Sequence, residues 1–151
     1  MLVVDLDPQG ASTWMAGVDA DRVKRTVADA LGGAGRSGAL ADVIVPSTWG
    51  HLVDVAPSGP HLQRLESART GLETLITGKS AVRLRRALEG VTRGYGVVLI
   101  DCPPSLGDLT TNALSAADRA VMVVEPTALS LRGVAPVADL IESVWHDHNA
   151  A

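Results

Sequence analysis

VVDLDPQGAST, residues 3–13, decides how the rest of the chain is read. It lies in a short apolar run, Leu2 to Leu6, that carries Asp5 and leads straight to Asp7. Pro8, Gln9 and Gly10 break the run, and Ser12 opens a helical stretch to Gly17. Apolar strand, doubled carboxylate, tight turn and helix together describe the carboxyl end of a strand in a parallel α/β sheet. Ligand sites in such sheets lie beyond that end.

The same ending recurs. YGVVLIDCPPS (95–105) reads as a buried strand that ends in Asp101 and is stopped by Pro103 and Pro104. RAVMVVEPT (119–127) reads as a third strand, ending in Glu125 and Pro126. One acid-then-proline ending is ordinary strand punctuation. Three on one edge suit Mg²⁺, which takes a few acidic ligands together with phosphates and water.

Between these strands the pattern is helical. Helices are predicted over 22–31, 60–75, 80–91, 106–118 and 129–146, and a short helix or turn over 39–45. HLVDVAPSG (51–59) alternates and is predicted to be a strand. Strands alternating with helices imply a mostly parallel sheet covered on both faces. The apolar residues fit this, since Val, Leu and Ala dominate and there is no Phe.

The bulk numbers exclude several classes. With 151 residues, 46% of them hydrophobic and 20% charged, the chain can bury one core. A net charge of −4 makes the whole chain a poor electrostatic match for nucleic acid. The single cysteine, Cys102, excludes an internal disulfide and fits a reducing cytoplasm. No apolar run reaches the roughly 18 residues of a membrane span. Met1 leads directly into the first strand, so no signal peptide is expected.

On these residues the chain resembles the ParA/Soj partition ATPases, deviant-Walker relatives of the ParA/MinD type. VVDLDPQGAST resembles their Walker A-prime segment, VVLIDCPPSLGDLTTNALSAAD (97–118) their Walker B strand and following helix, and VEPTALSLRG (124–133) the next strand end. The resemblance covers nearly all of the chain, most weakly at 18–50. It implies a three-layer α/β/α, P-loop NTPase-like parallel sheet. It also implies that Asp7 orients the water attacking the γ-phosphate, that Asp5 supports it, and that Asp101 holds Mg²⁺ largely through water. Gln9, Gly10, Pro103 and Pro126 would lie around the ATP. The family's partners would be nonspecific DNA, a ParB-like centromere-binding protein and a second copy, in the cytoplasm on the nucleoid and without a membrane.

The resemblance also implies a deficit. The family's KGGVGKTT-type phosphate loop precedes the VVDLDPQG segment, and here Met1 stands where the linker from its helix should end. Residues 1–151 are therefore expected to be one partial domain, lacking the first strand, phosphate loop and C-terminal elements. Such a piece would bind Mg-ATP weakly and turn over at background rate. Its VVLID strand would lie beside a gap or a non-native neighbour such as VMVVE, and it would tend to self-associate. The competing reading is a non-catalytic interaction module or decayed gene product.

Other features carry less. GGAGRSG (32–38) imitates a phosphate loop but follows a helix, and GLETLITGKS (71–80) has its first glycine two residues too early. A receiver-type phosphoacceptor needs a lysine where Glu125 stands. Arg83, Arg85, Arg86 and Arg93 read as solvated helix charge, Cys102 as a buried inert thiol, and Trp14, Trp49 and Trp145 as packing residues. His146 and His148 are two apart and do not share a helix face.

Overall fold

The computed structural model describes residues 1–32, 36–66, 81–127, 130 and 132–148. Among these residues four strands form one sheet: β1 (Leu2–Asp5), β2 (Val45–Pro46), β3 (Asp54–Ala56) and β4 (Val98–Asp101). Their order is β2-β3-β1-β4. β1 is parallel to both β3 and β4, and β2 closes antiparallel on β3. The expected parallel sheet is present, with one short antiparallel edge.

The faces of β1 separate by the two-residue period of a strand. Leu2, Val4 and Leu6 enter the large core with Val27, Leu31, Leu40, Leu62, Leu84 and Leu109. Val3 turns to a small cluster with Val55 and Ala16. The first face is covered by α2 (Val27–Leu31), α4 (Arg83–Leu88) and α5 (Asp108–Ala116), which supply buried leucines and alanines. α1 (Ala11–Met15) follows the turn after β1, α3 (Leu62–Glu66) packs against α5, and α6 (Val134–His148) packs on α5 from outside. Both faces carry cover, but unequally.

Several elements are shorter than their sequence pattern. The 22–31 helix begins only at Val27, because Thr26 and Asp29 form a reciprocal capping box there. In it the Asp29 carboxylate accepts from the Thr26 N–H at 2.8 Å. The 51–59 strand is paired only over Asp54–Ala56. The 39–45 stretch is a 3₁₀ turn, Ala39–Asp42. The 60–75 helix is described only as α3, and the remainder, like GLETLITGKS, lies outside the described residues.

Three expectations are corrected. The strand over 119–127 does not form: residues 121–125 have no sheet partner, and Val121 and Val123 are 87% and 94% exposed. Glu125 therefore does not end a strand on the acid edge. A Val-rich segment has strand character only when a neighbour pairs with it. For the same reason β4 is not a fully buried strand. Its far side is bare among the described residues, and Leu99 is 51% exposed. Trp14 is no packing residue either, being 78% exposed.

Candidate functional site

Asp5 and Asp101 are register partners at the carboxyl ends of adjoining parallel strands. Neighbouring strands lie about 4.8 Å apart, so the two carboxylates share one edge. Asp7 follows on the turn that leaves the same edge of β1. Residues 96 positions apart in sequence are thus brought together, because the crossover connection makes β1 and β4 parallel neighbours.

Asp5 is fully buried and heavily bonded. Its Oδ2 accepts from the Thr13 N–H at 2.7 Å and the Thr13 hydroxyl at 2.6 Å. Its Oδ1 accepts from the Asp7 N–H at 3.1 Å. Burial pushes the Asp5 carboxyl above its ordinary value, and the nearby Asp101 charge adds to this. The hydrogen bonds from Thr13 and Asp7 oppose it. With every bond directed to its own turn and helix, Asp5 ties β1 to α1.

Asp7 and Asp101 are more open. Asp7 Oδ1 accepts from the Gln9 N–H at 2.9 Å, and its backbone carbonyl accepts from the Gly10 N–H at 2.9 Å and from the Ser58 hydroxyl. Asp101 Oδ2 accepts from the Ser12 hydroxyl at 2.6 Å. The second carboxylate oxygen of each has no partner among the described residues. The free donors are hard oxygens, the set that suits Mg²⁺. No group of three or more His, Cys, Asp or Glu side chains among the described residues could hold a metal by itself. A cation here would take most of its shell from phosphate and water.

The turn has its own requirement. Gly10 opens α1 with φ of 66°, a left-handed conformation that favours glycine. Gln9 is exposed at its tip. An open cleft of about 640 Å³ runs along this turn, between Pro8, Gly10, Trp14 and the Ser58–Pro60 loop. Pro103 is buried just past β4, while Pro126 is exposed beyond the unpaired 121–125 segment. Asp5, Asp7, Gln9, Gly10, Asp101 and Pro103 thus gather at two adjoining strand ends; Pro126 belongs to no strand end.

Sequence reasoning missed the residues that hold these acids. Thr13 serves Asp5 and also accepts from the Ser58 N–H at 2.8 Å, which joins the turn to the loop after β3. Glu66 accepts from the Ser105 hydroxyl at 2.6 Å and the Leu109 N–H at 3.0 Å, fixing the loop after β4 to α3. A Cβ on Gly107 would collide with that Glu66 carboxylate, 1.7 Å away. The S-T pair at 12–13, directly after the two aspartates, was the available signal for the first of these; Glu66 had none.

The competing loops are engaged elsewhere. In GGAGRSG, Arg36 pairs with Asp42 and the Ser37 hydroxyl with Glu89, while residues 33–35 lie outside the described set. Cys102 is half-buried rather than buried, and burial followed by the Asp101 charge lifts its thiol to about 11, which keeps it protonated and inert.

A family model described as an AAA domain matches residues 1–151. The chain belongs to this AAA domain family, among the ParA/Soj proteins. It is 36% identical to the sporulation initiation inhibitor protein Soj of Bacillus subtilis over 144 residues, which is 95% of this chain and 53% of that protein. It is 32% identical to the chromosome partitioning protein ParA of Myxococcus xanthus, over 95% of this chain and 47% of that one. Among solved structures it is similar to cobyrinic acid a,c-diamide synthase from Mycobacterium smegmatis with bound ADP and magnesium. That match has a TM-score of 0.80 and 31% identity, over 97% of this chain and 56% of the other. The fold is the α/β, P-loop NTPase-like sheet of these proteins. The chain spans about half the length of the curated relatives it matches. No helix among the described residues is long and apolar enough to cross a membrane.

Proposed function

We propose that residues 1–151 are the water- and metal-positioning part of a ParA-like ATPase domain that acts in plasmid or chromosome partition. The observation that carries this is the in-register pairing of Asp5 with Asp101, with Asp7 on the adjoining turn. Asp101 would hold Mg²⁺, with its Ser12-bonded oxygen fixed and the other free. Asp7 would orient the attacking water. Asp5 would position Asp7 by accepting its N–H, and is a positioning residue rather than a group touching substrate. Gln9, Gly10 and Pro103 would lie beside the nucleotide, with Pro126 at its far side.

Bound Mg²⁺ would neutralise charge developing on the transferring phosphoryl group. The chain's own residues would orient water, hold the ion's shell and keep the turn rigid. ATP, nonspecific DNA, a ParB-like protein and a second copy are the partners this reading supplies, in the cytoplasm on the nucleoid. The second reading, a non-catalytic interaction module, is favoured by one observation. Among the described residues no glycine-rich loop joins a strand to a helix as a phosphate cradle.

Equilibrium nucleotide binding separates the two. The 151-residue chain should bind Mg-ATP weakly. Joined behind a strand carrying a KGGVGKTT-type loop, it should bind tightly, and Asp101→Ala should remove the Mg²⁺ dependence. Binding by the joined chain that ignores Asp101→Ala would favour the non-catalytic reading.

A further inference from the structure

Four residues at the acid edge close a ring of hydrogen bonds. The Asp7 N–H donates to Asp5 Oδ1 at 3.1 Å, and the Thr13 hydroxyl donates to Asp5 Oδ2 at 2.6 Å. The Ser58 N–H donates to Thr13 Oγ1 at 2.8 Å, and the Ser58 hydroxyl donates to the Asp7 carbonyl. The ring ties together the end of β1, the turn after it, α1 and the loop after β3. Asp5, Thr13 and Ser58 are 0%, 1% and 1% exposed, so water does not compete for these bonds. The ring lies on the β3 side of β1 and involves no group on the outer edge of β4. Ser58 is its least local member, since its hydroxyl reaches a carbonyl 51 positions away in sequence. That carbonyl already accepts from the Gly10 N–H at 2.9 Å. A carbonyl oxygen has two lone pairs, and both are engaged here. The Ser58 hydroxyl therefore adds hold on Asp7 rather than satisfying an orphaned group.

From this ring we infer that Ser58 is a positioning residue for Asp7. The inference rests on the reading of Asp7 as the residue that orients the attacking water. Asp5 fixes the peptide before the Asp7 Cα, and Ser58 fixes the peptide after it. The Gln9 N–H holds Asp7 Oδ1 at 2.9 Å. With the backbone set on both sides and one carboxylate oxygen held, the direction of the other oxygen is set as well. A misplacement of about 1 Å in a group that aligns reactants costs on the order of a hundredfold in rate. The loop Pro57–His61 thus belongs to the water-orienting apparatus, although it carries no acid.

Two measurements test it. In the 151-residue chain, Ser58→Ala should speed amide exchange at Asp7 several-fold, while the Val3 and Val4 amides of β1 keep their protection. Thr13→Val, which cuts the ring at two bonds, should do the same, and Thr13→Ser, which keeps the hydroxyl, should not. In the chain joined behind a strand, KGGVGKTT-type loop and helix, Ser58→Ala should lower kcat roughly tenfold or more, with the KM for Mg-ATP within about twofold of the parent. A serine that only stabilised the fold would lower the melting temperature and leave the kcat of the folded protein alone. Asp7 exchange indifferent to Ser58→Ala overturns the proposal. So does an unchanged kcat in a joined chain that Asp7→Ala inactivates. Turnover that survives Asp7→Ala would instead overturn the reading of Asp7, and the exchange result would still decide whether Ser58 holds it.

Discussion

β1 and β4 are nearly the same strand chemically, LVVD against VLID, yet they sit differently. Every residue of β1 is buried, while β4 is half-buried or exposed along its length. Among the described residues β1 has strands on both sides, and β4 has one. Apolar composition makes a segment able to be a central strand. Neighbours make it one, because a buried strand needs partners for its backbone as well as cover for its side chains. The 121–125 segment carries this to its limit, with strand composition and no strand.

Truncations contrast the two sides most sharply. Leu6→Ala, beside β1 and fully buried, should cost about 2–5 kcal/mol by denaturant unfolding. Val123→Ala, 94% exposed, should stay within about 0.5 kcal/mol in the monomer. Equal losses would mean that the 121–125 segment is packed and that the contrast is false.

A smaller effect is expected at the acid edge. Thr13→Ala takes the hydroxyl donor from the Asp5 carboxylate and should cost about 1–3 kcal/mol. The Thr13 N–H survives this change, so the loss falls mainly on the hydroxyl. Thr26→Ala, which removes the α2 cap, should cost about 1 kcal/mol. If the Thr13 variant proved milder than the Thr26 variant, Asp5 would not be the tie between β1 and α1.

The smallest effect is a pH slope. Burial raises the Asp5 carboxyl above 3.8 in the folded chain. The folded chain then keeps a proton that the unfolded chain has released. Stability from Asp5 is fully present below the unfolded value and is lost as pH rises through the folded one. Asp5→Asn removes this term. Its stability relative to the parent should therefore improve as pH rises across that window, in thermal melts at matched ionic strength. A relative stability of Asp5→Asn that falls with rising pH would mean that the Thr13 and Asp7 hydrogen bonds outweigh burial.

What the sequence made legible follows the same contrast. The order of β1, β3 and β4 with their helices was readable because hydrophobic period and proline stops are local signals. So was the meeting of Asp5, Asp7 and Asp101, since acid-then-turn endings on parallel strands must share an edge. The 119–127 strand misled because pairing is not local: VMVV is a good strand sequence with no sheet partner among the described residues. Thr13, Ser58 and Glu66 were hidden for a related reason. Each acts across a tertiary contact that no spacing in the chain announces.

ATP turnover tests most directly whether the acid edge works as a unit. On the proposed reading, the 151-residue chain alone should hydrolyse Mg-ATP no faster than background, because its acid edge would position water and metal while no phosphate cradle joins a strand to a helix among the described residues. Joined behind a strand, KGGVGKTT-type loop and helix, it should turn over ATP in a Mg²⁺-dependent way. Asp7→Ala should return that joined chain to background. Turnover by the joined chain that survives Asp7→Ala would contradict the account.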